Sequence, residues 1–233
     1  MDIDKIIDLA EIPKTILEGA QSFLNRLLGP TIDETGQLLA DKIRYRRLKN
    51  QIKIAEDASK LVAESGLTPK TVSLQTLQPL VEKASLEEDS TMQKMWSTLL
   101  ANAATAKSRD GLHRLCVEVL AGITPKEAVI LNHIYGEYER KRPELLMRIH
   151  KWNPALGEIH GGSIFFRPSE LFRVAEVTAD ADGDFLLDNL LRLNILKWGI
   201  PEVEDGQTVR PNFVELTELG LAVLKECIKG PAA

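Results

Sequence analysis

GPTIDETGQLLADKIRYRRLKNQIKIAEDASKLVAESG, residues 29–66, reads as one long helix with a stop at each end, and the rest of the chain is read outward from it. Gly29-Pro30 breaks whatever precedes it. Thr31 or Asp33 can cap the new helix by accepting a backbone N–H bond, and Asp33 and Glu34 complement the positive end of its dipole. At the far end Gly66 supplies a left-handed residue, and Pro69 follows. The expected central helix covers residues 33–64, and at 1.5 Å rise per residue it would run roughly 48 Å. Projected at about 100° per residue, Leu38, Tyr45, Leu48, Ile52, Ala55 and Val62 share one side, while Leu39, Ile43, Ile54, Ala58 and Leu61 share another. Two apolar sides call for two sets of neighbours. Between them runs a line of Lys42, Arg46, Lys49 and Lys53, and the segment from Lys42 to Lys53 holds six basic residues and no acid.

On both sides of this helix the pattern stays helical. Residues 2–28 place Ile3, Ile6, Ile7, Ala10, Ile16, Leu17, Phe23, Leu24 and Leu27 at helical spacing, with a bend or restart at Pro13. Lys5, Lys14 and Arg26 stand there against five acids, the wrong sign for an anionic membrane surface, so this stretch is expected to pack on the central helix or on a partner. After Gly66 a helix is expected through Leu74, Leu77, Leu80, Val81 and Ala84, with an early Pro79. Ser85-Leu-Glu-Glu88 then reads as a capping box for the next helix, whose apolar stripe is Met92, Met95, Trp96, Leu99, Leu100 and Ala103. Trp96 is in phase with Leu99 and Leu100, which makes it a core residue. Arg109-Asp110-Gly111 marks a turn before a short helix from His113 to Leu120. Residues 1–122 are expected to form an α-helical domain, a bundle of roughly five or six helices.

Thr124-Pro-Lys-Glu127 joins a capping threonine, a proline at the first helical position and a glutamate at the third, a clear helix start. Ala128, Ile130, Leu131, Ile134 and Tyr138 follow, and the charged EYERKRPE leads to a second apolar stretch around Leu145, Met147 and Ile149. From there the rhythm changes. Ser163 to Arg167 is a short β-type run, Pro168 starts a helix, Asp182-Gly-Asp184 breaks it, and Phe185 to Leu193 makes another. A strand from Ile195 to Val203, a turn at Glu204-Asp-Gly-Gln207, a strand from Phe213 to Leu216 and a helix from Thr217 to Ile228 complete the chain. This order, and the pairing of LLRLNIL with FVELTELGLAVL, resembles the winged-helix superfamily, a helix-turn-helix variant. The expected fold is therefore mainly α: an N-terminal helical bundle with one long central helix, then a winged-helix-like α+β domain with a small antiparallel sheet over residues 124–233.

Three ordered motifs, GPTIDETGQLLADKIRYRRLKNQIKIAEDASKL, ASLEEDSTMQKMWSTLLANAA and ITPKEAVIL, together resemble the pattern of the abortive infection alpha (Abi-alpha) family of bacterial proteins, over roughly residues 29–225. The resemblance implies a bacterial cytoplasmic protein associated with defence against phage. It carries no catalytic residue over to this chain.

Composition sets the remaining bounds. A hydrophobic share of 44% and a charged share of 27% are those of a globular protein. No apolar run approaches the ~20 residues that span a bilayer, and MDIDKIIDLAEIP lacks the basic start and apolar core of a signal peptide, so a cytoplasmic protein with no membrane partner is expected. The net charge of −5 lies wholly at the C-terminal end, where Ser163 onward holds 7 Lys and Arg against 12 Asp and Glu. A winged helix reads DNA through phosphate contacts from Lys and Arg. Here the helix from Asp184 to Leu196 would offer Asp184 and Asp188 against Arg192, and the wing tip would be Glu204-Asp205, which repel a polyanion. Protein contact or structural support is the expected use of this domain. The line Lys42, Arg46, Lys49, Lys53 is the better candidate for nucleic acid, because four cations on one line can follow a phosphate backbone; its alternative is a solvated face paired with acids.

No metal or cofactor is expected. His113, His133, His150 and His160 have no ligand spacing with each other or with Cys116 and Cys227, which read as reduced core residues. Asp180-Ala-Asp-Gly-Asp184 fails as a calcium loop, since Gly183 at the sixth position puts Thr178 first and Asn189 twelfth. The sequence reading is a non-enzymatic interaction protein in phage defence acting through a protein partner, with room for a homo-oligomer. The alternative is a nucleic-acid-binding regulator using the four cations. A nuclease-type toxin with dispersed Glu, Arg and His is the third reading.

Overall fold

Lys42–Ser65 is one continuous helix, α1, and it stops where glycine permits: Gly66 has φ +70°. The structure, a computed structural model, describes residues 18–19, 22–23, 26, 42–106, 109–152, 164–178, 181–199, 202–204, 207–209 and 213–232, with backbone alone at 42–45, 148–152, 202–204 and 207–209. The expected start of the central helix, with its caps at Thr31 or Asp33, lies outside these residues. Along α1, Ile52, Ile54, Ala55, Ala58 and Val62 are buried, so the two apolar sides join into one broad face. It lies along α3 (Ser90–Thr105) and against α2 (Leu74–Ala84).

Helix α3 forms the centre of this unit. Met92, Met95, Trp96, Leu99, Leu100, Ala101 and Ala104 are buried, and so are Gln93, Ser97, Thr98 and Asn102. A helix enclosed on all sides must satisfy its polar groups internally. Ser97 and Thr98 do so by donating to the carbonyls of Gln93 at 2.8 Å and Lys94 at 2.9 Å. The cap of α3 corrects the reading of Ser85 to Glu88. Asp89 is the N-cap, its Oδ1 accepting from Thr91 N at 2.9 Å and Met92 N at 3.0 Å. Ser85 instead ends α2, its Oγ donating to Glu82 O at 2.6 Å and accepting from Arg47 Nε at 2.9 Å. Helix α4 (Asp110–Gly122) buries His113, Cys116, Val117, Val119 and Leu120.

Two compact units divide the chain: Met1–Ala121 with Glu226–Ala233, and Gly122–Lys225. The second opens on α5 (Pro125–Trp152), whose start is the reciprocal box expected from sequence. Thr124 N donates to Glu127 Oε2 at 2.6 Å, and Glu127 N donates to Thr124 Oγ1 at 3.3 Å. Helix α5 then runs unbroken through EYERKRPE and across Pro143. Glu137 sits beside Arg140 at 2.6 Å and Lys141 at 3.4 Å, one turn on, and the Arg140 bond leads in pulling its carboxyl down to about 2.

Helices α6 (Pro168–Val174) and α7 (Ala181–Arg192) follow the short strand β1 (Phe165–Phe166). Asp182-Gly183-Asp184 does not break a helix, as the sequence suggested, but forms the first turn of α7. Gly183 allows this: a Cβ there would lie 2.7 Å from Thr178 O and 3.2 Å from the Phe172 ring. Asn194, at φ 56°, turns the chain from α7 into β2 (Leu196–Trp198). The expected strand from Ile195 to Val203 is split, because β3 (Glu202–Glu204) leaves the sheet to form a hairpin with β4 (Gln207–Val209). Strand β5 (Val214–Leu216) returns to the centre of the antiparallel sheet β1-β5-β2, setting Phe166 and Trp198 opposite Val214 and Leu196 opposite Leu216. Thr217 caps α8 (Glu218–Ile228) by accepting from Gly220 N at 2.8 Å, and a Cβ on Gly220 would overlap the Ile195 carbonyl oxygen. The protein is thus mainly helical with a small antiparallel sheet. Among the described residues no helix is long and apolar enough to cross a membrane.

Candidate functional site

The four cations singled out in sequence occupy α1, and their surroundings differ. Lys42 is on the helix, its side chain outside the described set. Arg46 Nη1 lies 3.7 Å from Glu88 Oε1 in the loop joining α2 to α3, both side chains at least 70% exposed. Lys53 Nζ pairs with Asp57 one turn on at 3.1 Å. Lys49 is exposed and forms no ion pair among the described residues. The line is therefore partly neutralised, although exposed pairs of this kind hold with only ~0–1 kcal/mol each.

Beside Arg46 and Lys49 lies an open cleft of about 290 Å³, completed by Asn50, Glu88 and Gln93. Asn50 Nδ2 donates to Ser85 O at 3.0 Å; Gln93 Nε2 donates to Glu87 O at 2.8 Å and approaches Asn50 Oδ1 at 3.4 Å. Sequence reasoning missed Asn50, Glu88 and Gln93. Asn50 is one turn beyond Arg46, a spacing that could have flagged it, but only the fold of α1 onto α3 brings Glu88 and Gln93 alongside.

A second cluster joins residues the sequence left scattered. Glu226 near the end of α8 accepts from Arg109 Nη1 at 2.7 Å through Oε1, and its Oε2 faces His113 Nε2 at 3.2 Å. Burial works to raise the Glu226 carboxyl, but the bonds from His113 and Arg109 outweigh it and hold the group below its ordinary range. Asn102 Nδ2 binds the carbonyls of Glu226 and Lys229, each at 2.8 Å. His113 is 1% exposed, and its Nδ1 has no hydrogen-bond partner among the described residues. With its imidazole shut away, this cluster fastens the C-terminal end of α8 and gives no access to a substrate. Cys116 and Cys227 are free and buried, as expected, and burial with the adjacent Cys116 thiol pushes the Cys227 thiol well up. Among the described residues no group of three or more His, Cys, Asp or Glu could hold a metal ion.

In the second unit the outer side of α7 carries Asp184, Phe185 and Asp188, all exposed, with Phe185 at 65%. Neither Asp184 nor Asp188 forms an ion pair among the described residues. Arg192, on the same side, is turned onto Asn189 Oδ1 at 2.7 Å. Asn189 is held by Gly122 O at 2.9 Å and by the buried Glu127 carboxylate at 2.6 Å, so the helix is anchored beneath its exposed side. Glu204-Asp205, the expected wing tip, has no described side chains.

A sequence model of the family described as abortive infection alpha matches residues 41–227 of the chain. No curated protein and no solved structure matches it.

Proposed function

Because the chain belongs to the abortive infection alpha family, we propose that it serves phage defence as a non-enzymatic interaction protein, engaging a protein partner through the exposed side of α7. Family membership supports the defence role. The observation that carries the partner is Phe185, 65% exposed between Asp184 and Asp188. An aromatic side chain left in water on an anchored helix suits a hot spot for a protein socket, with the flanking carboxylates selecting a rim of Lys and Arg. In the winged-helix reading of residues 124–233, α7 holds the place of the recognition helix, and its carboxylates would repel DNA phosphates. A cytoplasmic site of action accords with this role.

A photo-crosslinking amino acid placed at position 185 tests the reading in cells. Infection should yield a discrete adduct that Asp184→Lys with Asp188→Lys removes. No adduct at 185, with adducts forming instead from probes on α1, would overturn it. That result would favour the second reading, nucleic-acid contact along Lys42, Arg46, Lys49 and Lys53, for which the supporting observation is an exposed Lys49 that forms no ion pair among the described residues.

A further inference from the structure

A partner for α7 has to bring cations around an apolar contact, and the chain itself carries that combination on α1 and the loop that follows α2. Lys49 and Lys53 are exposed one turn apart on α1. Leu86, in the loop between α2 and α3, is 65% exposed. The loop is tied to α1 on both sides of this leucine. Ser85 accepts from Arg47 Nε at 2.9 Å and, through its carbonyl, from Asn50 Nδ2 at 3.0 Å, while Glu88 lies 3.7 Å from Arg46. Leu86 is thus held beside the cations and left open to water. The segment from Lys42 to Lys53 holds six basic residues and no acid, and counting Glu56, Asp57, Glu87 and Glu88 against them still leaves an excess of two positive charges.

The exposed side of α7 is the reverse of this surface. Asp184 and Asp188 are one turn apart, about 6 Å along the helix, with Phe185 between them at 65% exposure. Lys49 and Lys53 have the same spacing, so two carboxylates on one helix can face two ammonium groups on another while Phe185 meets Leu86. We infer that the partner of α7 is a second copy of this chain, bound through the α1 surface of that copy, with Asp184 and Asp188 on Lys49 and Lys53 and the Phe185 ring on Leu86. The inference rests on the reading of α7 as a protein-binding side and names what it binds. The apolar pair forms the centre of the contact, and the charges around it steer and select. Lys53 leaves Asp57, one turn on at 3.1 Å, at little cost, because exposed pairs of this kind hold weakly. Each copy carries both surfaces. Two copies can therefore close a dimer by making the same contact twice, and copies joined in series make longer assemblies.

Sedimentation velocity of the full chain at rising concentration tests the contact. The mass should climb from one chain to two or more, and raising salt from about 0.1 M to about 1 M, which shortens the Debye length from roughly 10 Å to roughly 3 Å, should weaken association about tenfold or more. Asp184→Lys with Asp188→Lys should abolish association, and so should Lys49→Glu with Lys53→Glu. An equal mixture of the two variants should associate again, because each reversed surface then meets its complement on the other chain. All four side chains are exposed, and unchanged circular dichroism and melting would certify the variants, with Asp188→Lys and Lys49→Glu alone in reserve. A chain that stays single at every concentration, association that survives both pairs of changes, or a mixture that fails to reassociate would overturn the inference. A single chain whose probe at position 185 still forms its adduct with another protein on infection would overturn the second copy alone and leave the protein-partner reading standing.

Discussion

Glu226 holds the end of α8 through a carboxylate bound by Arg109 and His113. Because those bonds hold its pKa below the ordinary 4.5, the folded state binds fewer protons than the unfolded chain in the acid range. The stability this contributes is present above pH 4.5 and is lost as pH falls through the lower folded value. Glu226→Gln should therefore cost about 1–3 kcal/mol at neutral pH and flatten the decline of stability below about pH 4.5. Urea unfolding of both proteins across pH 3 to 7 measures this, and parallel pH curves would refute the assignment. Nothing in residue order hinted at the contact. His113 and Glu226 stand 113 positions apart, and neither belongs to a local motif.

Local chemistry was legible where one segment contained the whole of it. Thr124 and Glu127 form their box because the two side chains and the two N–H groups lie within four residues, and the bond from Asn189 falls on Glu127 Oε1, which leaves Oε2 for Thr124 N. Ser85 and Glu88 have the same spacing but form no box, because Ser85 Oγ already serves Glu82 O and Arg47, and Asp89 stands one residue nearer the helix. The two positions can be told apart by measurement. Asp89→Ala should lower stability by about 1 kcal/mol, whereas Glu88→Ala, whose carboxylate is exposed, should leave it within ~0.5 kcal/mol. Comparable losses at both positions, in thermal or urea unfolding, would reinstate the box. Longer elements followed the same logic. The charged EYERKRPE stretch leads on to the second apolar stretch inside one helix, because Glu137, Arg140 and Lys141 pair along one helical face and carry α5 through it. The helix expected from Phe185 opens a few residues earlier, with Asp182-Gly-Asp184 inside its first turn, and Gly183 packs against Thr178 O and the Phe172 ring where a side chain would collide.

At the scale of the whole molecule, the helices of the described first half and the later small antiparallel sheet were visible in residue order and periodicity, and the family in the resemblance of three ordered motifs. The candidate sites were visible only in part. Arg46, Lys49 and Lys53 could be picked out as a line, but the acids that pair with two of them, and the amides that build the cleft, depend on how α1 meets α3 and the loop before it. Asp184 and Asp188 could be read as acidic in advance; the exposure of Phe185 between them could not, because the sequence placed it as the opening residue of a helix and gave no sign of which side faced water. The central claim is that this family member protects cells by presenting that side of α7 to a protein. Its most direct test is the plaquing efficiency of a phage panel on bacteria expressing the wild-type chain or the triple variant Asp184→Lys, Phe185→Ser, Asp188→Lys, at matched expression and melting temperature. The account predicts that the wild-type chain reduces plaquing and the variant does not. Undiminished protection by a folded, equally abundant variant would contradict it.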